Sequence, residues 1–443
     1  MILNSLVLKR YFEVFFLVFL LCCSCFLVLN NVLNSSQLAT FKREEAAKVS
    51  KNFTNNISQR LKVLLGCQDR PLIFEKRQYG NYWLLKNFIR GRLSEKIGCS
   101  EAITYCTNGD YTFFDNLPEV VKRWFAPVSF AIFAPGYDFK IAMDSIQYVR
   151  NCLKESQLIQ KYVTFHIYFP SRHMPDYLPI TEEEIDNWPY DCQSSVKPYE
   201  NSTRADMYKT KNKLLYPINV GRNIAREAAN THFVFVCDIE LFPSKNLIKQ
   251  FFRMLLHNKA LIPSRGNGEE EEEYRVFPVP VFEVAKTSSV PENKAELLKM
   301  LKVDLAIPFH KFTCKNCHMV PGYGKWLNRT NVNTMEIIAV SKREGKFASW
   351  EPFYISDNRE PMFDERVTWE GQSNKRIQNY AMCLLGFKYH VLHPAFLVHT
   401  PGIKRVNLKD PRLKYVAPTN ALIRKKIIPE YHILYGKNTN CRV

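Results

Sequence analysis

Three kinds of hydrophobic pattern run along this chain of 443 residues. The first is a block, Tyr11–Leu29, apolar except for Glu13 and Ser24 and preceded by Lys9 and Arg10. A bilayer core takes about 20 apolar residues as a helix. No small-residue cleavage site follows, so the block reads as an uncleaved signal-anchor, with the basic pair cytoplasmic and the rest of the chain lumenal. A cleaved signal peptide is the alternative. The second pattern is the polar stretch 30–60, which lacks periodicity and reads as a stem. The third begins at residue 61, where short apolar runs alternate with segments of helical spacing. Val128–Ala134, Tyr162–Phe169 and Phe233–Cys237 predict strands, and Phe139–Lys154 and Arg222–Ala229 predict helices. Ser244 is placed to cap a helix running to Leu256. Val276–Val284 reads as an edge or irregular strand because it holds Pro278 and Pro280. Asn293–Leu301 and Asn374–Leu385 follow as helices, and Tyr389–Val398 as one or two short strands. The alternation predicts an α/β fold, a mostly parallel sheet flanked by helices. The organisation is then a tail (1–10), the anchor (11–29), the stem (30–60) and a lumenal domain (61–443).

One feature inside this pattern carries chemistry. The run Phe233–Cys237 has no charge and ends abruptly in Asp238 and Glu240. Two apart in extended geometry, both acids point to one side, and they repel unless a positive group sits between them. A divalent cation holding an anionic substrate supplies that charge. Capping of the next helix is the plainer alternative. Ligands of α/β sheets bind beyond the carboxyl ends of the strands, which is where these acids fall.

Composition narrows the setting. The formal net charge is +18 and the pI about 9.2. The basic residues are spread along the whole chain with no recognition module, which argues against nucleic acid and for anions such as nucleotide diphosphates, acidic glycans or a membrane surface. Acceptor sequons for N-glycosylation start at Asn34, Asn52, Asn56, Asn201 and Asn328. Ten of the 13 cysteines lie beyond the anchor, where an oxidising lumen favours disulfides. Cys237, beside the acids, reads as a packed free thiol. Cys314 and Cys317 with His310 and His318 raise the question of zinc, and the compartment favours a disulfide. Glu269–Glu273 reads as a solvated loop insertion.

Several stretches together resemble the Golgi glycosyltransferases of family 49, especially their glucuronyltransferase branch. They are VSFAIFAPGYD (128–138), HIYFPSR (166–172), YPINVGRNIAREAANTHFVFVCDIELFPS (216–244), PVPVFEVAK (278–286), WEPFYI (350–355), FDERVTWEGQSNKRIQ (363–378) and GFKYHVLHPAFLVH (386–399). The resemblance implies a GT-A fold, a type II Golgi membrane protein and an inverting, metal-dependent transfer from a UDP-sugar. In this branch that means glucuronate from UDP-glucuronate to a terminal xylose of a glycoprotein glycan. A β-1,3-N-acetylglucosaminyl transfer to galactose-ended chains, and a non-catalytic Golgi subunit partnering another glycosyltransferase, are the alternatives.

Under that reading Asp238 and Glu240 hold Mn²⁺, or Mg²⁺, since hard oxygen ligands suit both. His399, closing the apolar run AFLVH, completes the set. Inversion needs a base for the acceptor hydroxyl, and the acids put forward are Asp364 and Glu365, then Glu351. Asn219, Arg222 and Asn223 precede the metal strand and are assigned to the substrate, as are Trp350, for sugar stacking, and Lys375, for a donor carboxylate. Ion pairing for the acids and core packing for the aromatics are the plainer alternatives.

Overall fold

Strands buried on both faces build the centre of the molecule. The computed structural model describes residues 57–262, 273–400 and 402–443, and Leu61–Val443 is one compact body. The signal-anchor, most of the stem, the first three sequons and residues 269–272 of the acidic run lie outside the described residues. Among the described residues no helix is long and apolar enough to cross a membrane. The strands of the first half are β1 (Glu75–Tyr79), β2 (Tyr82–Ile89), β3 (Ile103–Gly109), β4 (Val128–Phe133), β5 (Val163–Pro170), β6 (Phe233–Val236) and β7 (Leu241–Pro243). Those of the second half are β8 (Arg275–Val279), β9 (Val281–Val284), β10 (Ala306–Pro308), β11 (Glu336–Ser341), β12 (Phe353–Ser356), β13 (Lys388–His393) and β14 (Leu397–His399).

Ten strands form one sheet in the order β1-β2-β5-β4-β3-β6-β12-β8-β13-β11. The fold is therefore mixed α/β with a large sheet flanked by helices, and the expectation of a mostly parallel sheet needs correction. Within this sheet parallel pairing is confined to β5-β4-β3-β6 and to β8 with β13. The reason lies in the connections. A parallel neighbour needs a crossover of a dozen or more residues, which the helices Asp138–Asn151 and Ile218–Glu227 provide around β4, β5 and β6. Tyr79 and Tyr82 are joined through only two residues, including Gly80 at φ +54°, so β1 and β2 can only form a hairpin.

Four strands form a second sheet, β10-β9-β14-β7. β8 and β9 are separated by Pro280 alone and belong to different sheets. Of the edge or irregular strand expected from the sequence, the irregular form is the one found. β8 is interior, between β12 and β13, and the chain changes sheet at the residue that has no N–H to pair. The Pro280 carbonyl accepts from Leu397 N at 2.8 Å. The helix after β7 also starts later than expected, at Leu247, with Asn246 in the cap position at φ +63°. Ser244 caps nothing; its Oγ accepts from Phe396 N at 3.2 Å and ties β7 to the approach to β14.

Among the described residues four disulfides join Cys67 to Cys99, Cys152 to Cys192, Cys314 to Cys317 and Cys383 to Cys441, while Cys106 and Cys237 are buried free thiols. Cys314-x-x-Cys317 thus closes on itself rather than around zinc. Cys383–Cys441 ties the last residues to the helix Asn374–Leu384 across 58 positions of sequence, inside a cluster with Ile377, Ile423, Ile427 and Tyr431. Replacing both cysteines by Ala should lower stability by about 2–4 kcal/mol, read as a lower urea midpoint against wild type under non-reducing conditions. Asn201 and Asn328, the two sequons within the described residues, are both exposed.

Candidate active site

The two sheets meet at the acids. β6 ends at Val236 in the large sheet and β7 begins at Leu241 in the small one. Asp238-Ile239-Glu240 make the turn between them, closed by Leu241 N on Asp238 O at 3.0 Å. This corrects the sequence reading, because the pair is held by a turn and not by extended alternation. Tyr105 Oη donates to the carbonyls of Asp238, at 3.0 Å, and Leu241, at 2.7 Å, pinning the turn from β3.

Arg222 supplies the first countercharge. The helix Ile218–Glu227 runs back from the carboxyl ends of the parallel strands, so its first turns face the acids. Arg222 Nη2 meets Asp238 Oδ1 at 2.7 Å, and its Nη1 donates to Asn374 Oδ1 at 2.7 Å and Asn219 Oδ1 at 3.1 Å. The guanidinium is buried and fully engaged, so Arg222 organises Asp238 rather than waiting for a phosphate in solvent. Burial alone would raise the Asp238 carboxyl; Arg222 and Lys375 outweigh it and hold the group far below the usual carboxylate range. Its side chain nevertheless remains one-third exposed, so a ligand can reach it. Asn219 donates to the carbonyls of Asp364 and Asn374, at 2.8 and 3.1 Å. Asn223 donates to Phe363 O and to Glu365, both at 2.9 Å. Both asparagines are buried struts of the loop 363–374, not substrate ligands.

The small sheet brings the third member. In β14, His399 pairs with Leu241 of β7 and with Glu283 of β9. His399 Nε2 stands 3.8 Å from Glu240 Oε2, and Thr400 N donates to Glu240 O at 3.2 Å. Asp238, Glu240 and His399 are thus brought to one corner. Among the described residues no three His, Cys, Asp or Glu side chains converge closely enough to hold an ion alone. The donor types are still those a hard cation takes: two carboxylates and an imidazole nitrogen 3.8 Å from one of them. The missing ligands are those an anionic substrate would bring.

Around this corner lie Lys375, which the sequence assigned to a donor carboxylate, and a ring cluster and a buried acid that it did not place here. The Lys375 ammonium sits 3.5 Å from the centre of the Phe353 ring rather than on a carboxylate. Burial lowers it to about 8, against the fields of Asp238 and Glu351. Phe309 carries rings on three sides, with His310, His318 and His399 at 3.8, 4.6 and 5.1 Å between centroids. Burial and the nearby lysines keep His310, at about 3, and His318 neutral. Glu283 is wholly buried, and burial raises its carboxyl. The local sequence, one acid between Phe282 and Val284, did not mark it.

The three acids proposed as base separate cleanly. Asp364 is held by Arg366 Nη2 at 2.7 Å and by Tyr431 Oη at 3.4 Å, and Arg366 also reaches Glu430, so Asp364 anchors the C-terminal helix. Glu365 accepts from Tyr79 Oη at 2.8 Å and from Asn223, tying in the β1–β2 hairpin. Glu351 pairs with Arg376 at 3.0 Å and shares Lys375 with Asp238 as a charge neighbour. Of the three, Glu351 is the one whose charge acts on Lys375 together with Asp238, while Asp364 and Glu365 are reached from the Arg222 helix through Asn219 and Asn223. Trp350 is 2% exposed and packs with Tyr354, Met382 and Tyr389, so it is core and not a sugar platform. Trp350→Ala should cost about 3–5 kcal/mol, seen as a fall in melting temperature with the donor affinity of the remaining folded protein unchanged.

The acid turn thus stands at a strand end beside a buried lysine and neutral histidines, and the chain is a glycosyltransferase. It belongs to the family described as glycosyl-transferase for dystroglycan, whose model matches residues 102–436. It is 28% identical over 333 residues to beta-1,4-glucuronyltransferase 1 of Danio rerio, and 26% identical over 327 residues to that of Homo sapiens, each match covering 72% of both chains. It is 26% identical over 193 residues to the xylosyl- and glucuronyltransferase LARGE2s of Danio rerio, covering 42% of this chain and 22% of that one. A solved structure, S. aureus TarS 1–349 with UDP, aligns over 75% of this chain and 72% of its own at 11% identity; its TM-score of 0.29 is too low to carry an argument about the fold.

Proposed function

We propose that this chain transfers glucuronate from UDP-glucuronate to a terminal xylose of a glycoprotein glycan, with inversion, using Mn²⁺ or Mg²⁺, as a type II membrane protein of the Golgi lumen with a GT-A core. The observation that carries it is the Asp238–Glu240 turn, opposed by His399 and open to one side. The glucuronyltransferases among the relatives support the donor. Four disulfides and two exposed sequons fit a lumenal setting.

A divalent ion held there would neutralise the diphosphate as it departs. Asp238, Glu240 and His399 are the residues that would hold it. Arg222 keeps Asp238 ionised and aimed. Glu351 takes the proton of the attacking acceptor hydroxyl. Lys375, which pairs with no carboxylate among the described residues, is a cation available to meet the donor carboxylate, whereas Arg222 is spent on Asp238 and Arg376 on Glu351. The test is UDP release by a soluble form beginning near residue 60, over several UDP-sugars, with xyloside and lactosamine acceptors. Release is expected only with UDP-glucuronate and xyloside, to vanish with a chelator and to return with Mn²⁺. Release with UDP-N-acetylglucosamine alone would overturn the donor, and release from no donor would point to a non-catalytic subunit.

A further inference from the structure

The small sheet has a second opening, at the edge away from the acid turn. One row of paired residues crosses it: Leu241 of β7, His399 of β14, Glu283 of β9 and Ile307 of β10. Neighbouring strands stand about 4.7–4.9 Å apart, so the row leads from the turn to Ile307 in three steps, roughly 14–15 Å. There lies an open cleft of about 350 Å³, lined by Asp304, Ile307, Lys311, Phe312, Ile403 and Arg405. That size falls among small-ligand sites, about 300–1,000 Å³. Both walls lead back to the acids. Lys311 follows His310, whose ring lies on Phe309 beside His399. Arg405 follows Lys404, whose amide donates to Glu283 and whose charge acts on Asp238.

Lys311 and Arg405 stand against one ring, Phe312, at 5.6 and 4.8 Å from its centre. All three residues are exposed. Among the described residues neither cation is in an ion pair, not even with Asp304 of the same cleft. The ring holds both cations without neutralising them, and two like charges gathered there repel until an anion joins them. Asp304 decides the kind of anion. A carboxylate in the wall disfavours a partner that is charged throughout, such as a phosphate-rich surface, and accepts a hydrogen bond from a sugar hydroxyl. Ile307 and Ile403 supply apolar contact for a sugar ring.

We propose that this cleft binds an acidic sugar unit, its carboxylate on Lys311 and Arg405 and a hydroxyl on Asp304, a few units behind the glycan end presented at the acid turn. The proposal rests on the glycosyltransferase reading of that turn and requires neither UDP-glucuronate as donor nor a bound cation.

The test is fluorescence anisotropy of the full chain in detergent, without donor or metal. The probes are a labelled heparosan tetrasaccharide, in which glucuronate alternates with N-acetylglucosamine, and its carboxyl-reduced neutral form. The acidic form should bind about 10-fold or more tightly than the neutral one. Lys311→Gln with Arg405→Gln should bring the acidic form to the level of the neutral one and leave the neutral one unchanged. Equal binding of the two forms, no binding of either, or a preference retained in that double variant overturns the proposal. So does an equal loss in Lys161→Gln with Lys249→Gln, which removes the same charge from exposed positions on the helices Ser156–Tyr162 and Leu247–His257. Association with phosphatidylserine vesicles that the Lys311–Arg405 variant loses, with no discrimination between the tetrasaccharides, overturns it in favour of a membrane surface. Because no donor is present, this binding can fail while UDP release succeeds, and the reverse.

Discussion

Asp238→Asn should cut transfer by about 10²–10³-fold or more, as expected when a preorganised charge aimed at the departing diphosphate is removed. The substitution keeps the volume and leaves Arg222 an oxygen to bind, so the fold should hold. What changes is charge. Arg222 and Lys375 both face Asp238; with a neutral amide there, the corner becomes net positive and repels the cation. UDP release at saturating Mn²⁺ measures the loss, and raising Mn²⁺ should recover little of it. Because the wild-type carboxyl is held far below its ordinary pKa, Asp238 stays ionised through the acid range. Any fall in wild-type activity between pH 7 and 5 must then come from another group. Wild-type turnover by Asp238→Asn would defeat the catalytic reading of the turn.

Glu351→Gln should lower kcat by about 10²–10⁴-fold, the range for loss of a general base, with the donor KM little changed. Asp364→Asn and Glu365→Gln should behave differently. Asp364 holds Arg366 and the C-terminal helix, and Glu365 holds the β1–β2 hairpin through Tyr79. Their loss should appear as reduced melting temperature, with kcat per folded molecule near wild type. The comparison is decisive because all three acids came from the same reading of the sequence. A large kcat effect at Asp364 or Glu365, with Glu351→Gln silent, would return the base to the loop 363–366.

Much of the site was legible for a simple reason. A charge-free strand that stops at two acids is a local pattern, and Phe233–Val236 forms as expected. His399 was legible only through its place at the end of an apolar run. Glu283 was overlooked because a single acid in VFEV is indistinguishable locally from one facing water. Its burial depends on β9 lying between β10 and β14. The base candidates were inseparable in sequence for the same reason. FDER and WEPF look alike as text, and only the ion pairs with Arg366 and Arg376 and the position of Lys375 separate them.

The sequence by itself determined the strand–helix alternation of the first half, the placing of two acids at a strand end, the free thiol at Cys237 and the preference of Cys314 and Cys317 for disulfides over zinc. These follow from periodicity, hydropathy and short-range spacing, which act between near neighbours. Tertiary structure alone decided that the sheet is mixed, that Pro280 divides two sheets, that Arg222 serves Asp238, that Trp350 is core and that Glu283 stands beside His399. Each of these joins residues far apart in sequence, and such pairings are set by where whole strands dock.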